Sequence, residues 1–423
     1  MAKVLRQHWA SDVDSGFSRR DRRSCDYDAY VPDVLAGRTI TLDGDTAADI
    51  ADAERAITTL DAGAVTLAST EALARILLRA EAVASSRIEG LEVGSRRLLR
   101  AEAALELGDE PSDVTATEVL GNINAMSSAI QSLAPGDTIT VEHLLSFHRT
   151  LLASTRMAGR AGAIRTEQNW IGGSGHNPCS AAFVPPPPEY VPGLLEDLCR
   201  FCNDEALPAT AQAAIAHAQF ETIHPFADGN GRTGRALIHL VLRRRGLATR
   251  VLVPISLVLA TWSGDYIAGL EATRYRGPAS SRSAHEGLNL WLARFAAAAR
   301  RAVDDASRFE DRAQAIADEW RSRLGPVRAN SAADRLIMAL PGSPLLTVNS
   351  AAALIGRSFA AANGAVARLS GAGILKQVTA GRRNRAFEAP AIFAAFTDLE
   401  RHLASPGGDT RISDPSRRVP RRR

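Results

Sequence analysis

The segment HPFADGNGRTGR, His224 to Arg235, sets one histidine, one carboxylate, one amide and two arginines around three glycines. Pro225 disfavours the helical conformation at His224, so a preceding helix should end there and leave the imidazole at the mouth of a loop. Asp228-Gly229-Asn230-Gly231 tolerates unusual φ angles, and successive amides in such a loop can turn inward as an anion nest. A helix that follows at once points its positive N-terminal end at the same place. Arg232 and Arg235, three apart, share one side of that helix. Every one of these elements favours a polyphosphate. Such a ligand usually arrives with Mg²⁺, a hard cation that prefers carboxylate oxygen, and Asp228 is the nearest carboxylate. Histidine as a residue type titrates near neutrality, so His224 suits the group that takes a nucleophile's proton in phosphoryl or nucleotidyl transfer. Other phosphate motifs fail: the chain has no GxxxxGK[ST] and no GxGxxG after a strand.

The elements that must position this segment read as helices. From Ala47 to Ala82, then over 112–133, 141–153, 193–205 and 209–221, apolar residues recur at three- and four-residue intervals. RALIHLVLRRRG after the motif reads as a buried helix, and helical patterning continues to about Leu324. Between Gly162 and Pro192 the texture changes. Gly172-Gly173 and Gly175 mark a turn, and Phe183-Val184 lead into four prolines, so a short hairpin followed by an extended, polyproline-like segment is expected. Residues 1 to about 30 are polar and rich in turn formers. From Ser331 the order is helix, helix, turn, helix, glycine turn and two short strands. That order fits a winged helix-turn-helix, with Ser358 to Ser370 as third helix and Gly381 to Asn384 as wing. Arg357, Arg382, Arg383 and Arg385 favour phosphates, while the third helix itself is apolar apart from Arg368.

HPFADGNGRTGR matches the HPFx[D/E]GN[G/K]RxxR signature of the Fic family at every specified position, and the chain resembles that family from about residue 45 to 320. The resemblance implies an all-α Fic-type core with a short β-hairpin flap, joined to a small C-terminal winged helix. It implies protein adenylyltransfer, in which AMP passes from ATP to a Ser, Thr or Tyr hydroxyl of a target protein or of the chain itself. His224 then looks like the base and Asp228 the Mg²⁺ ligand. Gly229, Asn230 and Gly231 would grip the α- and β-phosphates, Arg232 the β-phosphate region and Arg235 the γ-phosphate. Gly231 stands where lysine marks a kinase-like branch, which favours AMP over phosphate as the transferred group. Gly172, Gly173, Phe183 and Val184 fall where the family carries its target-docking flap. Upstream, Ser85-Ser86-Arg87-Ile88-Glu89-Gly90 resembles the family's inhibitory helix motif, [S/T]xxxE[G/N]. Glu89 paired with Arg235 would occupy the guanidinium that orients the γ-phosphate. Two rivals stay open: AMP removal at the same site, and a winged-helix regulator that senses ATP and binds DNA. A homodimer is open too.

The expected organisation is an N-terminal helical region over 1–110 carrying the inhibitory motif, a catalytic core over 111–325, the winged helix over 326–403 and a disordered tail over 404–423. Composition agrees with a globular helical protein: 45% of residues are apolar and only 5% aromatic. Two lysines against 48 arginines suggest a GC-rich, bacterial source. The net charge of +3 points to no partner, although six arginines and one aspartate from Arg411 to Arg423 make the tail locally +5. The first residues, MAKVLRQHWASD, contain no apolar run, and no stretch approaches the roughly 20 apolar residues of a membrane span, so a cytoplasmic protein is expected. Four cysteines are too few for a disulfide framework in this length. Cys199 and Cys202 lie at helical apolar spacing and read as buried thiols.

Overall fold

The computed structural model describes residues 1–11, 17–63, 70–106, 110–378 and 385–405. The expected wing at 381–384, with Arg382 and Arg383, and the tail from 406 onward lie outside them.

Two strands open the chain, β1 (Lys3–Trp9) and β2 (Cys25–Val31). Helices follow as α1 (Gly44–Gly63), α2 (Thr70–Ile88), α3 (Ser95–Glu106), α4 (Val114–Gln131), α5 (Val141–Leu152), α6 (Val191–Cys202), α7 (Ala209–Ile223), α8 (Asn230–Arg244), α9 (Ile255–Thr261), α10 (Ser263–Ala272) and α11 (Arg282–Leu324). The C-terminal part holds α12 (Ala332–Ala339), β3 (Leu345–Thr347), α13 (Val348–Ile355), α14 (Phe359–Gly371), β4 (Lys376–Gln377), β5 (Ala386–Glu388) and α15 (Pro390–Ala404). The described residues are thus mostly helical, with two small sheets ordered β1-β2 and β3-β5-β4. No helix among them is long and apolar enough to cross a membrane.

The chain divides into two compact units, one of Met1–Glu54, Ser128–Leu247 and Gly264–Ala297, the other of Arg55–Ser127, Ala248–Ser263 and Ala298–Arg423. In the first, α7 packs against α8, and both are buried along almost their whole length. Trp291, fully buried, donates its indole N–H to the Ala214 carbonyl at 2.9 Å and so ties the start of α11 to α7.

The first thirty residues depart from the turn-rich expectation. β1 and β2 pair antiparallel from Lys3↔Val31 to Trp9↔Cys25. The reason is cross-strand charge at alternate positions: Arg6 meets Asp28 at 3.0 Å and His8 meets Asp26 at 2.7 Å on the exposed face. Alternating charge in two polar stretches is a strand signal, and apolar periodicity alone misses it.

The cysteine expectation also needs correction. Cys25 at the start of β2 is disulfide-bonded to Cys179, 154 residues away, in the turn Pro178–Ser180. A pairing so distant in sequence depends wholly on the tertiary fold. Cys199 and Cys202 are buried free thiols, as expected, and burial pushes the Cys199 thiol up to about 12 and Cys202 well above its usual range.

In the second unit, α2 carries Glu81, buried, which accepts from the Ser256 backbone N–H at 2.8 Å. A small cluster joins Val93, Leu98, Ala116 and Val119. The C-terminal elements enclose Trp320, Leu336, Ile337, Leu346, Val366 and Leu369. Ser331, Thr347 and Ser358 cap α12, α13 and α14 through backbone N–H groups, and Gly356 at φ 60 turns the chain between α13 and α14. The helix–turn–helix order follows the expectation. Strand β3 and helix α15 were not anticipated. A three-residue strand held by Leu345↔Glu388 to Thr347↔Ala386 is too short to show alternation.

Because Cys25 and Cys179 close a long loop, replacing both by serine should lower stability by about 2–4 kcal/mol in chemical denaturation. Unchanged denaturation, with no thiol protected from alkylation in the wild type, would show that the bond does not form.

Candidate active site

The loop from His224 to Gly229 joins α7 to α8, and both helix ends are shaped for it. α7 stops at Ile223, and His224 takes a left-handed backbone conformation, φ 49 and ψ 61, while its N–H still donates to the Phe220 carbonyl at 2.9 Å. The helix does end before Pro225, but His224 is left-handed there and not extended, as the pre-proline preference alone would have it. Gly229, at φ 78, starts α8. A Cβ there would lie 3.1 Å from Leu151 Cδ2 and 3.3 Å from His148 Cδ2, so both conformation and space require glycine. Thr233 N donates to Gly229 O at 3.0 Å, the first bond of α8. The N–H groups of Asn230, Gly231 and Arg232 therefore precede the helical ladder and crown its positive end.

The side chains divide into those that build the loop and those left with spare donors or an exposed oxygen. Asn230 is a builder: its Oδ1 accepts from Phe226 N at 2.8 Å and its Nδ2 donates to Phe226 O at 2.8 Å. Asp228 is half-exposed; its Oδ1 accepts from Gly229 N at 2.7 Å, and Oδ2 stands 3.7 Å from Arg232 Nη2. Arg232 is buried, at 3% exposure, yet its Nε and Nη1 have no hydrogen-bond partner among the described residues. Arg235 is buried as well, at 1%. Gly234 lets α8 close on α7, since a Cβ there would sit 2.6 Å from Glu221 Oε1 and 2.9 Å from Phe220 Cδ1.

Three residues that the sequence reading missed support this loop. His148 on α5 stacks on Phe226 with ring centroids 3.8 Å apart. Its Nδ1 accepts from Gly162 N at 3.0 Å, so the hydrogen lies on Nε2, which donates to the Asp228 carbonyl at 2.9 Å. Burial pushes its pKa below the usual imidazole range. Arg165 donates through Nε to the His224 carbonyl at 2.9 Å, through Nη1 to Glu167 O at 3.0 Å, and through Nη2 to Pro186 O at 2.5 Å. Burial draws its pKa down to about 10. Asn169 Nδ2 lies 2.9 Å from His224 Nδ1. In sequence, His148 sits at an apolar helical position and Arg165 and Asn169 sit in an irregular stretch, so no local signal marks them.

The expected flap is reduced to a single antiparallel bridge, Ile171↔Phe183, with Gly172 and Gly173 at φ 76 and 80 in the turn. Val184 O accepts from Tyr30 N of β2 at 2.9 Å, and the Phe183 ring lies under the Arg274 guanidinium, 3.6 Å from its centre. Pro185 to Pro187 are buried, their carbonyls used by Gln168 and Arg165, so this stretch is structural packing and not a linker. The loop connecting β1 to β2 reaches the turn: Ser174 Oγ donates to Asp21 at 2.6 Å, and Asn177 Nδ2 donates to the carbonyls of Arg20 and Asp21.

Ser85, Glu89 and Gly90 belong to the other unit. Ser85 and Ser86 are fully buried on α2, with Asn122 Nδ2 donating to Ala82 O at 2.8 Å and to Ser86 Oγ at 3.1 Å. Glu89 lies in the turn just after the helix, its N–H on Ser86 O, and Gly90 closes that turn at φ 80.

A helical fold whose α7–α8 junction is built from a motif of this length defines a class. Residues 138–242 match the model of the Fic/DOC family, and residues 47–131 that of the Fic/DOC family N-terminal region. Over those two stretches the chain is similar to the Fic/DOC family. The protein adenylyltransferase fic-1 of Caenorhabditis elegans is 34% identical over 137 residues, covering 32% of this chain and 25% of the relative. A probable protein adenylyltransferase of Aquifex aeolicus (strain VF5) is 43% identical over 68 residues, 16% of this chain and 21% of its own length. The chain thus spans about a quarter of the length of these curated relatives. Among solved structures, a Fic family protein from Desulfovibrio desulfuricans G20 aligns at a TM-score of 0.50 and 21% identity, over 84% of this chain and 98% of that one. That likeness is one of fold.

Two outcomes follow from the packing. Gly229→Ala should lower stability by about 1–2 kcal/mol, because a left-handed L-residue is strained before any contact is counted; an unshifted melting temperature would show the loop to be compliant. His217, fully buried behind Arg235, has its pKa pushed down to about 3 by burial, with Arg235's charge adding to it. Its Nδ1 lies 3.9 Å from Glu221 Oε1, within ion-pair range, but a ring kept neutral makes this a charge–dipole contact. The folded-state pKa is depressed, so stability is retained above pH 6.5 and lost as pH falls toward 3. Roughly 3 kcal/mol should be gone by pH 4. The non-titrating His217→Gln variant should show a correspondingly flatter melting-temperature profile over that window.

Proposed function

We propose that this chain transfers AMP from ATP to a Ser, Thr or Tyr hydroxyl of a protein, with the α7–α8 loop as its active site. The observation that carries the reading is Arg232. A buried guanidinium with two unpartnered nitrogens beside a row of free helix N-terminal amides is costly unless an anion completes it. A polyphosphate supplies that anion, and the names of the curated relatives supply the reaction class.

In this reading the amides of Asn230 and Gly231 hold the α- and β-phosphates, joined by that of Gly229 once Asp228 Oδ1 releases it, while Arg232 takes the β-phosphate region and Arg235 the γ-phosphate. Asn230 contributes its backbone and keeps the loop in shape. The target oxygen bonds to the α-phosphorus while the bridging oxygen to the β-phosphate leaves with pyrophosphate. His224 takes the hydroxyl proton. Among the described residues no three His, Cys, Asp or Glu side chains form a preformed metal cage. Asp228 alone, half-exposed beside Arg232, fits an ion that keeps most of its waters and binds largely through substrate phosphates. Asp228 would hold Mg²⁺, and the bound ion would offset phosphate charge.

Two further proposals extend this one. Glu89, on the turn that ends α2, would restrain the reaction by engaging Arg235. Residues 326–403 would be a winged-helix contact module that favours protein over DNA. Arg357, Arg368 and Arg385 support that preference, because each already donates to protein oxygen, at Asn330, at Leu324 and Pro326, and at Asn363.

With α-³²P-ATP and Mg²⁺, label on protein should appear with Glu89→Gly and vanish when His224→Ala is added. Label that survives His224→Ala would remove the histidine from the chemistry. Equal label in wild type and Glu89→Gly would remove Glu89 from control. Arg232→Ala should weaken ATP binding about ten- to a hundredfold, the worth of a charge-assisted contact, measured by calorimetry.

A further inference from the structure

Asn169 stands 55 residues before His224 and outside the HPFADGNGRTGR segment. Its Nδ2 is 2.9 Å from His224 Nδ1, 3.1 Å from the His224 carbonyl oxygen and 3.0 Å from the Phe226 carbonyl oxygen. Two carbonyl oxygens at that range select the NH₂ end of the amide, since the other end would set oxygen against oxygen. Backbone atoms, and not the ring, therefore decide which way Asn169 faces. Asn230 repeats the arrangement. Its Oδ1 is taken by Phe226 N, which leaves its Nδ2 3.3 Å from the same ring nitrogen. With two N–H donors facing it, Nδ1 is the acceptor, and the neutral ring carries its hydrogen on Nε2.

The geometry points to Asn169 as the positioning residue that orients His224 and selects its tautomer. This rests on the reading of His224 as the base. Asn169 Oδ1 is buried and has no partner among the described residues, so the amide is held through its nitrogen alone. Without that amide the ring is free to turn and to carry its hydrogen on either nitrogen.

The test is ¹⁵N NMR of the histidine rings in the full chain, with His224 assigned by difference from His224→Ala. Wild type should show the Nε2–H pattern, Asn169→Ala a mixture of tautomers, and Asn169→Asp, which offers only acceptors, the Nδ1–H pattern. In a Glu89→Gly background, Asn169→Ala should lower kcat at least tenfold with KM for ATP within twofold, and Asn169→Asp should recover part of it. An unchanged tautomer in both variants would overturn the assignment, as would a kcat loss that merely follows a fall in melting temperature. If His224→Ala still transfers AMP, the base reading fails, and the tautomer pattern reports on Asn169 independently of it.

Discussion

A histidine that takes a left-handed backbone conformation must be held there, because that region costs an L-residue about 1–2 kcal/mol. Arg165 does the holding. Its guanidinium, 5% exposed, spreads donors over the carbonyls of His224, Glu167 and Pro186, with Ile223 at 3.4 Å. A buried cation usually asks for a carboxylate. Here backbone dipoles from three separate segments share that task, and the lowered pKa, about 10, still leaves the group charged at neutral pH. The last turn of α7, the stretch before the flap and the proline segment are thereby fixed to a single point. Each side chain of the α7–α8 loop takes its place from that point.

On the other side of the loop the logic is inverted. Arg232 is as buried as Arg165 but incompletely partnered, and the N-terminal amides of α8 lie beside it. One arginine is satisfied and structural; the other is desolvated and left with spare donors. His148 sits between the two regimes, carrying the Asp228 carbonyl on one nitrogen and the Gly162 amide on the other, and so fixes the half of the loop that Arg165 does not reach.

The N-terminal hairpin gives the flap region its second support. The Cys25–Cys179 bond, the Asn177 amide on Arg20 and Asp21, and the edge-to-face contact of Trp9 with Trp170 at 5.2 Å join the β1–β2 segment to residues 170–179. A single bridge at Ile171↔Phe183 would be a weak hairpin on its own. Anchored in this way, it keeps its two turn glycines without needing length. The carbonyl of Val184 is already engaged by the Tyr30 N–H of β2.

Much of this was legible in the sequence because it is local. Helix periodicity, the helix stop at Pro225, the left-handed glycine at 229 and the shared side of Arg232 and Arg235 are consequences of neighbours within four or five residues. The motif therefore announced a loop between two helices before any coordinate. What the sequence could not reveal depends on partners far away in the chain: Arg6 and His8 against Asp28 and Asp26, Cys25 with Cys179, His148 under Phe226, Arg165 and Asn169 around His224. None of these carries a periodicity, since each is a polar side chain satisfied by one long-range partner. The sequence by itself determined a helical protein with a glycine-rich loop between two of its helices. Only the tertiary structure decided which arginine is scaffold, which amide faces the histidine ring, and that the loop's strained residue is secured from three directions.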